Sequence, residues 1–120
     1  MSKIPQAVGP YSVAMRNGDL LFMSGQIPLN PETGELVQGD ITAQTKQAMA
    51  NVQAVLASYG LSFDNVIKTT VFLADMNDFV PFNQEYANYF PNSKPARSCV
   101  EVSKLPKGAI VEVECIASFK

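Results

Sequence analysis

Residues 111–115 alternate, with Val111, Val113 and Cys115 on one side, continued by Ala117, and Glu112 and Glu114 between them. Side chains of an extended chain point to opposite faces with a period of two, so this is a strand with one apolar and one charged face. It belongs to a sheet that is covered on one face by other elements and left open on the other. The rest of the chain must supply that cover.

Two segments have helical periodicity. From Ile41 to Tyr59 the apolar residues Ile41, Ala48, Val52, Val55, Leu56 and Tyr59 recur every three or four positions, with Asp40 or Thr42 available as N-cap and Gly60 beyond the end. A second helix carries Phe79, Phe82, Tyr86 and Phe90 as its apolar stripe; Asn77 or Asp78 caps it, Pro81 is tolerated in its first turn, and Pro91 stops it. Strands are expected at Ser12–Met15 and Leu20–Gly25, joined through Asn17-Gly18 with positive φ, and at the β-branched run Val66–Leu73. Pro28 to Asp40, with its prolines and glycines, is a surface loop. Arg97–Lys104 and Ala109–Ser118 complete the set, joined by Leu105-Pro106-Lys107-Gly108 as a hairpin turn. The order ββαβαββ predicts one α/β domain over 1–120: a mixed sheet with two helices on one face.

If the last two strands form that hairpin, Glu101 faces Glu112 and Cys99 faces Glu114. Val100 and Val102 then join the apolar residues of the final strand against the helices. Arg97, Cys99, Glu101, Glu112 and Glu114 gather on the open face, with the two cysteines on opposite faces and unable to bond. A solvated face with cross-strand Arg–Glu pairs is one account of that charge, Glu101 being the simple ion-pair partner. Burial against another subunit is the more economical one, since Cys99 and Ile110 flank the charges.

The composition prunes the chemistry. Histidine is absent, which removes Ser-His and Cys-His nucleophilic pairs and His-ligated metals. A net charge of -2 gives no basis for binding a phosphate backbone. Two cysteines are too few for a disulfide scaffold, no signal peptide or membrane span is apparent, and the expected compartment is the cytoplasm. No metal cluster, phosphate loop or nucleotide fingerprint is present, so no cofactor is expected.

Pro95-Ala96-Arg97-Ser98-Cys99-Val100-Glu101-Val102, Leu105-Pro106 and Val111-Glu112-Val113-Glu114 resemble the C-terminal signature of the Rid (YjgF-like) family. Gly9-Pro10-Tyr11-Ser12, Ser24-Gly25-Gln26-Ile27-Pro28 and Phe82-Asn83 with Tyr86 and Phe90 are similar to further family motifs in the same order. Val13 departs from the glutamine common after the first run. The resemblance implies a chorismate-mutase-like fold, a homotrimer with ligand sites between subunits, and hydrolysis of 2-imino or enamino acids, such as 2-aminoacrylate/2-iminopropanoate and 2-iminobutanoate, to 2-keto acids and ammonia.

The side chains suit that chemistry. Arg97 can grip a carboxylate through two parallel N–H···O bonds. The resemblance singles out Glu112 over Glu114 for water and proton handling. Cys99 borders the ligand; without a histidine, and with carboxylates expected nearby, it is a contact residue rather than a nucleophile. Tyr11 as hydroxyl donor and the Ser24-Gly25 turn complete the expected pocket. The rival readings are a non-catalytic small-carboxylate-binding regulatory module and a ribonuclease or translation inhibitor.

Overall fold

A computed structural model describes residues 4–120; residues 1–3 lie outside the described range. The elements run β1 (Ala14–Asn17), β2 (Leu20–Gln26), α1 (Ile41–Ser58), β3 (Val66–Leu73), α2 (Phe79–Tyr86), β4 (Ala96–Glu101) and β5 (Val111–Ser118). The expected order is therefore observed, as a five-stranded mixed sheet with β1-β2-β5-β3-β4 as its strand sequence.

Local chemistry explains the limits. Asp40 caps α1 by accepting the Ala43 N–H at 3.0 Å, and Gly60 leaves it with φ 75°. In the first hairpin Asn17 pairs with Leu20, so the two turn residues are Gly18 and Asp19. Only Gly18 takes positive φ, as the first central position of a type II′ turn requires.

The final strands correct one expectation. They form no hairpin: β5 lies between β2 and β3, antiparallel to both, while β4 runs parallel to β3 at the sheet edge. The end of β3 separates them, because Leu73 C=O accepts the Val102 N–H while Ala74 N–H donates to Ile110 C=O. Pro106–Gly108 does turn the chain, with Lys107 at φ 59°, but the turn carries it past β3 to the other side. The strand with the cleanest apolar face takes the interior, and the shorter, more polar β4 takes the edge.

This pairing also reverses the faces of β4. Thr69 pairs with Arg97 and Val71 with Cys99, and both β3 residues face the helices. Arg97 and Cys99 therefore lie on the covered side, while Val100, expected in the core, is exposed. Glu112 and Glu114 alternate with the buried Val111, Val113 and Cys115 and lie on the open side, as expected. Cys99 and Cys115 share a side instead of opposing one another. Both are free; β3 lies between their strands and their positions differ by two residues along it, which puts them about 12 Å apart.

The core between sheet and helices centres on Leu21, Met49, Leu56, Val71, Phe82 and Val113, all essentially inaccessible. Polar residues on α1 fasten the loop side. Asn51, 1% exposed, donates to Ile27 C=O at 3.1 Å and Leu29 C=O at 2.9 Å while accepting from Gln47. Gln44 donates to Val37 C=O and accepts the Ile110 N–H, so one side chain ties the long loop to the start of β5. Leaving buried carbonyls without donors is costly, and Asn51→Ala is expected to remove about 3 kcal/mol of stability. The check is a lower urea midpoint at unchanged denaturant slope.

Candidate active site

The expected site residues fall into two groups on opposite sides of the sheet. On the covered side, β4 presents Arg97 at the sheet edge to α2. One guanidinium N–H donates to Asn83 Oδ1 at 2.8 Å, and the guanidinium carbon lies 4.9 Å from the centroid of the Tyr86 ring, 5.6 Å from Phe79 and 5.9 Å from Phe82. The Tyr86 ring is itself held by a 2.7 Å hydrogen bond between its hydroxyl and Thr69 Oγ1. The described residues contain one ion pair, Lys120 with Asp19, so Arg97 has no carboxylate partner among them. Dipoles and π faces surround a half-buried cation and leave its charge uncancelled.

Cys99 follows Arg97 on the same side and packs against the core. Burial raises its thiol pKa while Arg97 opposes the rise. The expected cause, neighbouring carboxylates, is replaced by desolvation because Glu112 and Glu114 lie across the sheet. Glu101 makes no ion pair either; its Oε1 accepts the Met76 N–H at 2.7 Å. Buried Cys115 is pushed up to about 12, first by burial and then by Glu114.

The second group surrounds Glu112. Its carboxylate borders a cavity of about 40 Å³ whose walls include Pro5, Val8, Tyr11, Gly25 and Ile27, room for a water molecule. Burial among these apolar groups, and secondarily the charge of Glu114, raises the Glu112 pKa. Gly25 packs directly on this carboxylate: a β-carbon there would lie 2.7 Å from Glu112 Cδ. Ser24 Oγ donates to Ser12 C=O at 2.7 Å, and Ser24 N–H donates to Val13 C=O, holding the segment before Ala14 against β2. Tyr11 is exposed, and its hydroxyl accepts the Val8 N–H at 3.2 Å.

Thus Tyr11, Gly25 and Glu112 come together, Ser24 lies beside them, and Arg97 with Cys99 forms a separate group. Sequence reasoning assigned no role to Asn83 and missed the cover that Pro5–Val8 provides. The readable signal for Asn83 was a polar residue on an apolar stripe, four positions after Phe79 and three before Tyr86. Among the described residues no three acidic or thiol side chains cluster as a metal site, and no helix is long and apolar enough to cross a membrane.

Comparison with known proteins places this geometry in a family. The sequence model for endoribonuclease L-PSP matches residues 1–119. A RutC family protein of Pyrococcus horikoshii is 54% identical over 113 residues, 94% of this chain and 90% of its own. The 2-iminobutanoate/2-iminopropanoate deaminase of Mus musculus is 47% identical over 116 residues, 97% of this chain and 86% of its own. A Yersinia pestis structure of the conserved Rid protein family superposes with a TM-score of 0.93 at 50% identity, covering 97% and 93% of the two chains. The Escherichia coli TdcF structure with bound serine gives 0.91 at 41% identity, covering 97% and 93%. The chain belongs to the endoribonuclease L-PSP family, the Rid or YjgF-like family that its motifs resemble.

Proposed function

We propose that this protein hydrolyses 2-imino and enamino acids to 2-keto acids and ammonia, at sites assembled between copies of the chain. The observation that carries the reading is the Arg97 guanidinium, oriented and half-buried yet unpaired with any described carboxylate. Such a cation gains from a planar anion that can accept two N–H bonds. The mouse relative acts, by its name, on 2-imino acids, and the TdcF structure holds serine, a small molecule bearing a carboxylate.

The two groups need a second copy to meet. Within one chain Arg97 and Glu112 lie on opposite sides of the sheet, and the open side exposes Met15, Phe22 and Val100 beside the charges. Packing that side against a neighbour in a homotrimer would bury these residues and bring the neighbour's Arg97 edge to Glu112.

In the proposed reaction Arg97 holds the substrate carboxylate, with Cys99 at the wall, Tyr11 as hydroxyl donor and the Ser24-Gly25 backbone alongside. Glu112, as carboxylate, takes a proton from water as the water oxygen attacks the C=N carbon, and passes that proton to the nitrogen. In the tetrahedral adduct the hydroxyl proton then moves through Glu112 to the amino nitrogen, which leaves as ammonia as the C–N bond breaks and the keto group forms. The imine is already electrophilic, and the reaction draws on no added cofactor. The natural setting is the cytoplasm, where two free thiols persist and imines leave amino-acid dehydratases. The family's endoribonuclease description finds less support, because a net charge of -2 gives no overall electrostatic attraction for an RNA backbone.

Ammonia and keto-acid release from 2-aminoacrylate generated in situ tests the reading. Arg97→Ala should abolish the acceleration, and Glu112→Gln should reduce it by about 10²- to 10⁴-fold; wild-type protein no faster than buffer would refute the assignment. Mixing the two inactive variants, dissociated and reassembled, should recover about a quarter of wild-type activity, because a random quarter of shared sites regains both residues. No recovery would put Arg97 and Glu112 to work within one chain.

The raised Glu112 pKa predicts two pH effects. Activity should fall on acidification at a pH above the ordinary glutamate value, as the carboxylate becomes protonated. Stability runs the other way: the folded state binds this proton more tightly than the unfolded state, so Glu112 destabilises the fold above its raised pKa and not below the unfolded value. Glu112→Gln should therefore raise the melting temperature at neutral pH, with the gain vanishing near about pH 4. Melting curves across that range provide the check.

A further inference from the structure

Asn83 is the one described residue that accepts a hydrogen bond from the Arg97 side chain. The orientation of its amide is forced, since a guanidinium only donates and must meet Oδ1. Its backbone is fixed too: Asn83 lies within α2, its C=O accepting the Ala87 N–H at the helix end. Three aromatic rings pack beside the same guanidinium without offering a full negative charge. An aspartate at 83 would have the same shape and make a stronger bond to Arg97, because it would add a full negative charge on the acceptor to a bond that carries charge on the donor alone. It would also cancel the charge on which an incoming carboxylate depends.

We infer that Asn83 is a positioning residue whose neutrality sets the affinity of the site: it orients Arg97 for a carboxylate ligand without competing as a counter-ion. This rests on the reading of Arg97 as carboxylate anchor. It separates orientation from charge, which a residue needed only for packing would not do. The better hydrogen-bond acceptor should then make the poorer enzyme, with the defect confined to ligand affinity.

The experiment compares wild-type protein with Asn83→Asp and Asn83→Ala, as assembled oligomers. It measures kcat and KM for imine hydrolysis, the Kd of 2-oxobutanoate by calorimetry, and the melting temperature. Asn83→Ala should raise KM and Kd about tenfold with kcat within about twofold, the signature of lost uniform binding. Asn83→Asp should raise both by about a further tenfold while melting at or above the wild-type temperature, because the new ion pair supports the fold. An Asp variant that binds 2-oxobutanoate as well as wild type, or an Ala variant with unchanged KM, overturns the inference while leaving the anchor reading intact. Wild-type protein that neither binds the keto acid nor hydrolyses the imine overturns the anchor reading, and this inference with it.

Discussion

The pairing of β5 with both β2 and β3 is the constraint from which the rest of the molecule follows. A strand in that position must satisfy backbone bonds on both edges, and its alternating side chains must serve two environments at once. Val111, Val113, Cys115 and Ala117 meet the helices, and Glu112 and Glu114 are thereby committed to the other side. With β5 in the interior, one edge of β3 stays free, and β4 pairs there. Its position there places Arg97 beside the aromatic stripe of α2.

The limits of the elements were legible because specific residues mark them: Asp40 and Gly60 around α1, Gly18 in the first turn, and Pro91 after the second helical segment. The partner of β4 was harder to read. Pro106-Lys107-Gly108 has hairpin chemistry, yet a local turn does not say what lies between the strands it joins. The competing signal was the strand-helix-strand succession from Val66 to Glu101, since such a crossover permits parallel pairing, which a tight turn cannot. Alternation within β4 was read correctly; its phase relative to the helices depends on register with β3, a contact between distant parts of the chain.

The same distinction separates what could and could not be seen of the site. Arg97 and Glu112 stand out as residue types with a definite chemistry. The features that tune them are tertiary: the aromatic rings beside Arg97, the Asn83 amide, and the Pro5–Val8 segment covering Glu112. These bring together residues from several elements. Each group is poised by its surroundings, a cation without a counter-ion among the described residues on one side of the sheet and a carboxylate with a raised pKa on the other.

Gly25 shows how such a site constrains the chain independently of the fold. Its backbone is outside the positive-φ region where glycine is favoured, so L-residues of any kind could adopt its conformation. What excludes them is the volume already taken by the Glu112 side chain. The demand for glycine is one of space, made by a single carboxylate, and β2 would pair as well without it. A larger residue at this position would displace the β5 carboxylate, and with it the chemistry of the cavity, while leaving the pairing of the sheet untouched.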